Sequence, residues 1–232
     1  MNALILTGGW EKHAPTAFAD WIRSKLEAEG DHVTMTDTLD TLLDTHVMNR
    51  TDVIIPIWSS MGSGHDPRLG NLTRPQEDAL VDAIASGVGL AGWHGHMGDA
   101  FRDRPTYKFL AGSQFVGHPP GWPDRPVPED DFITYRVNPV GDHPIVAGLK
   151  PFEVHSEQYY LHIDPAIHVH AQTTFSGEHL PWLDGVEMPV TYTKTWGRGR
   201  VFYCSIGHDI AEFDIPEVAT MIVRGVRWAG RA

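Results

Sequence analysis

Val88-Gly89-Leu90-Ala91-Gly92-Trp93-His94-Gly95-His96-Met97-Gly98 is a short apolar run that breaks off in Gly-Trp-His-Gly-His. The glycines on either side of Trp93 and His94 permit a tight turn directly after a buried strand. Such a strand-turn-helix elbow lifts one side chain over the edge of a sheet. The residue lifted here is an imidazole, His94, where nucleophile elbows carry Ser or Cys.

Upstream, apolar strand runs alternate with helical patterns. Residues 3–7 read as a buried strand and Gly8-Gly9 as a turn; Pro15 opens a helix that Gly30 ends. A second strand spans 32–36, and a short helix or turn spans 39–46. Val53-Ile54-Ile55-Pro56-Ile57 lies in a third strand, followed by a polar loop from Ser59 to Leu72. Thr73 to Glu77 carries the start signals of a helix that runs through Ala85. This β-α-β-α-β-α-β order predicts a parallel, doubly wound sheet. Its site would lie outside the carboxyl ends of the strands, where His13, Trp58 with His65, and His94 fall.

Downstream the pattern is less regular. A helix is predicted around 107–110 and strands at 132–137, 169–173, 190–195 and 200–205. Residues 111–122 read as strand or loop, and 123–131 as an acidic, proline-rich connection. Gly197 and Gly199 mark a hairpin, and a helix from 215 to 229 closes the chain. No repeat is visible, and one domain over residues 1–232 is expected.

Composition excludes several function classes. The net charge of −12, from 30 acidic against 18 basic residues, argues against a nucleic acid or an anionic membrane surface as partner. A single cysteine, Cys204, leaves no internal disulfide framework and suits a reducing compartment. No apolar run approaches the ~20 residues of a membrane span, and Met1 to Thr7 does not read as a signal peptide. A cytoplasmic location is expected, and a homodimer stays open. Gly8-Gly9 is not followed by G-x-G-x-x-G, and no Walker sequence is present, so neither a dinucleotide nor a nucleoside phosphate is expected.

The ordered motifs Leu6-Thr7-Gly8-Gly9 with His13, Gly92-Trp93-His94-Gly95 and Phe115-Val116-Gly117-His118-Pro119 carry a resemblance. It continues through Asp142-His143-Pro144-Ile145, Glu157-Gln158-Tyr159, Gly207-His208-Asp209 and Val226-Arg227-Trp228-Ala229. The chain resembles the ThuA-like (trehalose-utilisation) family, within the class I glutamine amidotransferase-like superfamily. The resemblance implies an α/β, flavodoxin-like doubly wound, mostly parallel sheet with helices on both faces. It implies a role in carbohydrate metabolism through trehalose or other disaccharides and their keto-sugar intermediates. Working amidotransferases carry Cys at the elbow; here His94 stands there, so no acyl-enzyme route to glutaminase activity is expected. The retained Gly207-His208 would bring His208 to the cleft beside His94.

His94, His208 and Glu157 are therefore the candidate catalytic residues. His13, Trp93, His96, His118, Tyr159 and Asp209 are the candidates for binding substrate. Trp10, Trp58 and Trp122 are further stacking surfaces for a sugar. Asp99 and Asp103 read as caps of the following helix, and His170 as a surface residue. Two chemistries fit. One is acid–base work at a sugar carbonyl, with Glu157 or an imidazole as base and another imidazole as acid. The other is a divalent metal, Zn or Mn, on His94, Glu157 and His208. The alternative is a sugar-binding or regulatory protein on a degenerate amidotransferase scaffold, which would use the aromatics but has no need of several imidazoles around a carboxylate.

Overall fold

The computed structural model describes residues 1–59, 70–121 and 131–231; His65, Trp122 and residues 123–130 lie outside them. The first half contains β1 (Asn2–Gly9), α1 (Pro15–Glu27), β2 (His32–Thr36), α2 (Thr45–Met48), β3 (Val53–Ser59), α3 (Arg74–Ala85) and β4 (Gly89–Trp93). Next come α4 (His94–Met97), α5 (Pro105–Ala111), β5 (Ser113–Gly117), β6 (Ile133–Pro139), β7 (Phe152–Ser156) and β8 (Tyr160–Ile163). The chain then forms β9 (His168–Thr174), β10 (Glu187–Trp196), β11 (Gly199–Cys204) and α6 (Pro216–Ala229).

The main sheet runs β2-β1-β3-β4-β11-β10-β9-β6-β7. Its first five strands are parallel, and the others join by antiparallel pairing. β5 and β8 form a separate antiparallel pair. The chain reverses direction of winding between β1 and β3, which is the flavodoxin-like switch point.

Strand parity divides the core. Ile5, Ile55, Ala91, Trp93, Phe202 and Cys204 face α1 and α6, packing on Phe18, Ile22, Val218, Ile222 and Val226. Leu4, Leu6, Ile54, Leu90, Val201 and Tyr203 face α3 and α5, packing on Leu80, Ile84, Tyr107 and Leu110. Both faces of the parallel strands are covered, so these strands read in sequence as continuous apolar runs. The β3–β4 ladder is short, from Val53↔Gly89 to Ile54↔Leu90. Pro56, which has no N–H to give, falls in β3 where that ladder has ended. Beyond it the strands part, and α4 packs against β3.

Cys204 is fully buried in β11 and unpaired with any other sulfur. Burial raises its thiol pKa to about 11, so no thiolate nucleophile is supplied there. Cys204→Ser is expected to leave turnover intact and to cost at most about 1–3 kcal/mol for burying a hydroxyl, which the Thr191 side chain and Ile206 backbone beside the thiol can partly satisfy. Turnover per folded molecule and chemical denaturation check this; loss of turnover in a folded variant would contradict it.

Candidate active site at the carboxyl ends of the strands

Four strand ends build the site. β1 runs into the turn that carries His13, and β3 ends at Ser59. β4 ends at the elbow of His94, and β11 is followed within a few residues by His208. His94 has φ 43, a left-handed conformation that is costly for a residue with a Cβ. The flanking Gly95 has no such atom to spare: a Cβ there would meet His13 Cε1 at 2.6 Å. The turn is thus held open for His13 to lie against it.

The three imidazoles form a triangle. Ring centroids are 5.3 Å apart for His13–His94, 5.0 Å for His13–His208 and 5.2 Å for His94–His208. His94 is fully buried. Its Nδ1 lies 3.0 Å from the Ser205 carbonyl oxygen, which can only accept, so Nδ1 carries a proton. Its Nε2 lies 2.8 Å from the Tyr159 hydroxyl and 3.2 Å from Glu157 Oε2. His13 Nδ1 meets Ser59 Oγ at 2.6 Å.

Glu157, just after β7, brings a carboxylate among these rings. Oε1 is 2.9 Å from His208 Nδ1 and 3.5 Å from His118 Nε2. The His208 contact is out of line for a hydrogen bond, so the two attract chiefly as charges. Burial alone would raise the Glu157 pKa, but the contacts with His208 and His94 outweigh it and hold the carboxyl well below its usual range. Burial likewise opposes charge on His208, yet Glu157 raises its pKa above the ordinary imidazole value. Glu212 accepts from the His208 backbone N–H at 3.1 Å and fixes the loop that carries it.

A cavity of about 440 Å³ opens above this group. His13, His118, Glu157, Tyr159 and His208 line it with Trp10, Phe115, Asp99, Arg102 and Asp131. Tyr159 packs on Phe115 with ring centroids 4.4 Å apart, and burial lifts its phenol pKa well above the usual value. His118 stands between Glu157 and Asp131, 3.6 Å from the latter, and burial lowers its pKa in spite of both.

Several expectations need correction. His94 reaches Glu157 and Tyr159 but forms the floor beneath the cavity rather than its wall. Trp93 points to the α1–α6 face, against Phe18 and Phe213, because strand parity places it opposite the α3–α5 side. His96 is buried against Phe18 and donates from Nε2 to the His13 carbonyl at 2.9 Å; it holds the elbow to the β1 turn. Asp209 is exposed and caps the 210–214 turn by accepting from Ala211 N. These three do not line the cavity. Asp99 does not cap α5; it forms a two-pronged pair with Arg102 at the cavity wall. His170 is buried on Thr193. Ser59, Arg102, Asp131 and Glu212 were not singled out from the sequence. Their signal there was only position: a strand end, the residues just past the elbow, and acidic residues near His118 and His208.

Burial keeps two of these imidazoles neutral. His13 is pushed down to about 2 by burial and the neighbouring imidazoles, and His96 to about 3 by burial and His94. Between pH 6.5 and pH 5 the unfolded chain binds a proton at each while the folded chain does not, so stability falls with pH. The expected slope is about 1.4 kcal/mol per pH unit for each ring. His208, with a raised pKa, contributes stability that is constant below pH 6.5 and is lost only as pH rises through its folded value. Glu157, with a lowered pKa, contributes stability that is lost only below the usual carboxylate range. Neither flattens the slope, whereas Asp99 and Glu212, which burial raises, oppose it in part. Chemical denaturation of the chelated protein at pH 6.5 and pH 5 checks this; equal stability at both would contradict it.

The comparisons agree with this architecture. The family profile for trehalose utilisation, ThuA, matches residues 2–229. A ThuA-like protein from Parabacteroides merdae superposes with a TM-score of 0.73 at 18% identity, over 99% of this chain and 89% of that one. One from Bacteroides uniformis gives 0.71 at 20% identity, over 99% and 91%. The cold-adapted β-galactosidase of Rahnella sp. R3 gives 0.58 at 14% identity, with 98% of this chain on 30% of that one. At such identities these likenesses fix the fold alone. No curated protein matches the chain. Among the described residues no helix is long and apolar enough to cross a membrane.

Proposed function

This chain belongs to the ThuA family of trehalose utilisation, and from that membership we propose an enzyme that moves a proton on an oxidised, carbonyl-bearing sugar. Membership points to a role in trehalose or other sugar utilisation; the chemistry is read from the site. The observation that carries it is the Glu157 carboxylate, ringed by His208, His94 and His118 at 2.9, 3.2 and 3.5 Å.

Glu157 is held ionised at the edge of a sugar-sized cavity. It takes the proton from the carbon beside the carbonyl, and the C–H electrons pass to the carbonyl oxygen. Protonating the former carbonyl carbon, as the hydroxyl on the deprotonated carbon becomes the new carbonyl and its proton passes to the former carbonyl oxygen, completes an isomerisation. Expelling a leaving group from the next carbon completes an elimination. The carbonyl oxygen needs a positive partner as charge develops on it. His208, raised towards its charged form, supplies that in a metal-free version. In a metal-assisted version a divalent ion, Zn or Mn, supplies it, and the close approach of the His13, His94 and His208 ring nitrogens supports that version. Trp10 and Phe115 offer apolar faces to the sugar ring, and Tyr159 a hydroxyl.

A sugar-binding protein without chemistry would gain from the aromatics. It would gain nothing from a desolvated carboxylate facing three imidazoles, whose burial costs free energy. Keto-glycosides, trehalose-derived ones first, incubated with the protein and followed by NMR test the reading. Conversion is expected; sugar binding without conversion of any keto-glycoside would favour the binding protein.

A further inference from the structure

We propose that His13, His94 and His208 are the protein ligands of one divalent transition-metal ion, with Glu157 beside it as the base. The inference rests on the reading of the cleft as a reaction site and assigns what polarises the sugar carbonyl there.

One ring nitrogen of each of the three residues lies within 4.8 Å of the others, a spread that a common ion at ~2 Å from each nitrogen can bridge with small side-chain adjustments. The outward nitrogens of two of them are anchored. His94 Nδ1 donates to the Ser205 carbonyl, and His13 Nδ1 is held by Ser59 Oγ. Each therefore has Nε2 to offer an ion, on His94 in exchange for the Tyr159 hydroxyl it now meets, the arrangement in which outer partners fix the tautomer and aim of metal-bound imidazoles. His208 contributes a buried Nδ1 that has no directed hydrogen bond. The three residues follow three different parallel strands, so the sheet fixes their spacing. Three protein ligands with a cavity on the remaining side is the pattern of a catalytic rather than a structural ion. An all-imidazole set favours zinc over magnesium or calcium, which prefer oxygen. An ion on His94 Nε2 takes the place of the Tyr159 hydroxyl, which is then free to meet a sugar oxygen.

A second group, His118, Asp131 and Glu157, is also close enough to share an ion. It offers two carboxylates and one imidazole, an oxygen-rich set that suits zinc less well than three imidazoles. The two groups make different predictions.

The chelated full-length protein is titrated with Zn²⁺ alone against a chromophoric chelator, alongside the variants His13→Ala, His208→Ala and His118→Ala. Circular dichroism and melting of each chelated variant confirm folding, and His13→Gln replaces His13→Ala should the latter not fold. One zinc per chain is expected, weakened by at least about 100-fold in the His13 and His208 variants and retained in His118→Ala. Sub-stoichiometric binding by the wild type, or loss in His118→Ala with retention in His13→Ala, would overturn the assignment. Full conversion of a keto-glycoside by zinc-free protein would sink the ion and leave the proposed function standing. Stoichiometric zinc without conversion would do the reverse.

Discussion

Glu157→Gln is expected to lower turnover of a keto-glycoside by about 10²–10⁴-fold, the range for loss of a positioned general base. The change keeps the shape of the side chain and removes its charge. The amide can still fill the space among His208, His94 and His118, so the fold should persist with at most a modest fall in melting temperature. What is lost is the carboxylate that stands among three imidazoles at the cavity wall. Turnover per folded molecule, measured with the melting curve, checks this. Near-wild-type turnover in the folded variant would remove Glu157 from the mechanism and, with it, the acid–base reading.

His94→Ala is expected to lose at least about 10²-fold in turnover and, in addition, to destabilise the fold. The imidazole is fully buried and satisfies two groups, the Ser205 carbonyl and the Tyr159 hydroxyl. Leaving these without partners costs about 1–3 kcal/mol each. Alanine keeps the unfavourable φ of 43 without the contacts that hold it there. A net loss of roughly 2–5 kcal/mol follows, comparable with other severe core substitutions. The two losses are separable: denaturation reports the first, and activity per folded molecule at saturating substrate reports the second. A variant that unfolds more easily yet turns over normally would make His94 a structural residue. The structure puts it beneath the cavity, where removal is costly.

Much of the fold was legible because parallel strands covered on both faces must be apolar throughout. Residues 53–57 and 88–92 show this in their composition, and Pro15, Thr73 and Pro216 mark helix starts by their missing donor or their cap. The antiparallel half was less legible. β8 is four residues long, pairs only with β5, and shows no clear alternation. For the site, topology did most of the work. His13, His94 and His208 follow strands whose carboxyl ends share one edge, so their convergence follows from strand order. Glu157, His118 and Tyr159 come from the β5–β8 region and could be reached only through the family resemblance. Facing was not legible at the elbow itself. Strand parity turns Trp93 away from the cleft, and the α4 turn sends His96 into the α1 side. Sequence spacing does not reveal that Asp99 spends its carboxylate on Arg102 instead of a helix cap.

The most direct test of the central claim is proton exchange at the carbon beside the carbonyl of a 3-keto-glycoside in D₂O, followed by ¹H NMR. It reads the first proposed step and needs no assumption about the product. Wild-type protein should wash deuterium into that position much faster than buffer, and Glu157→Gln should not. Catalysed exchange of equal rate in both proteins, or no exchange above buffer by a wild type shown to bind the sugar, would contradict the account.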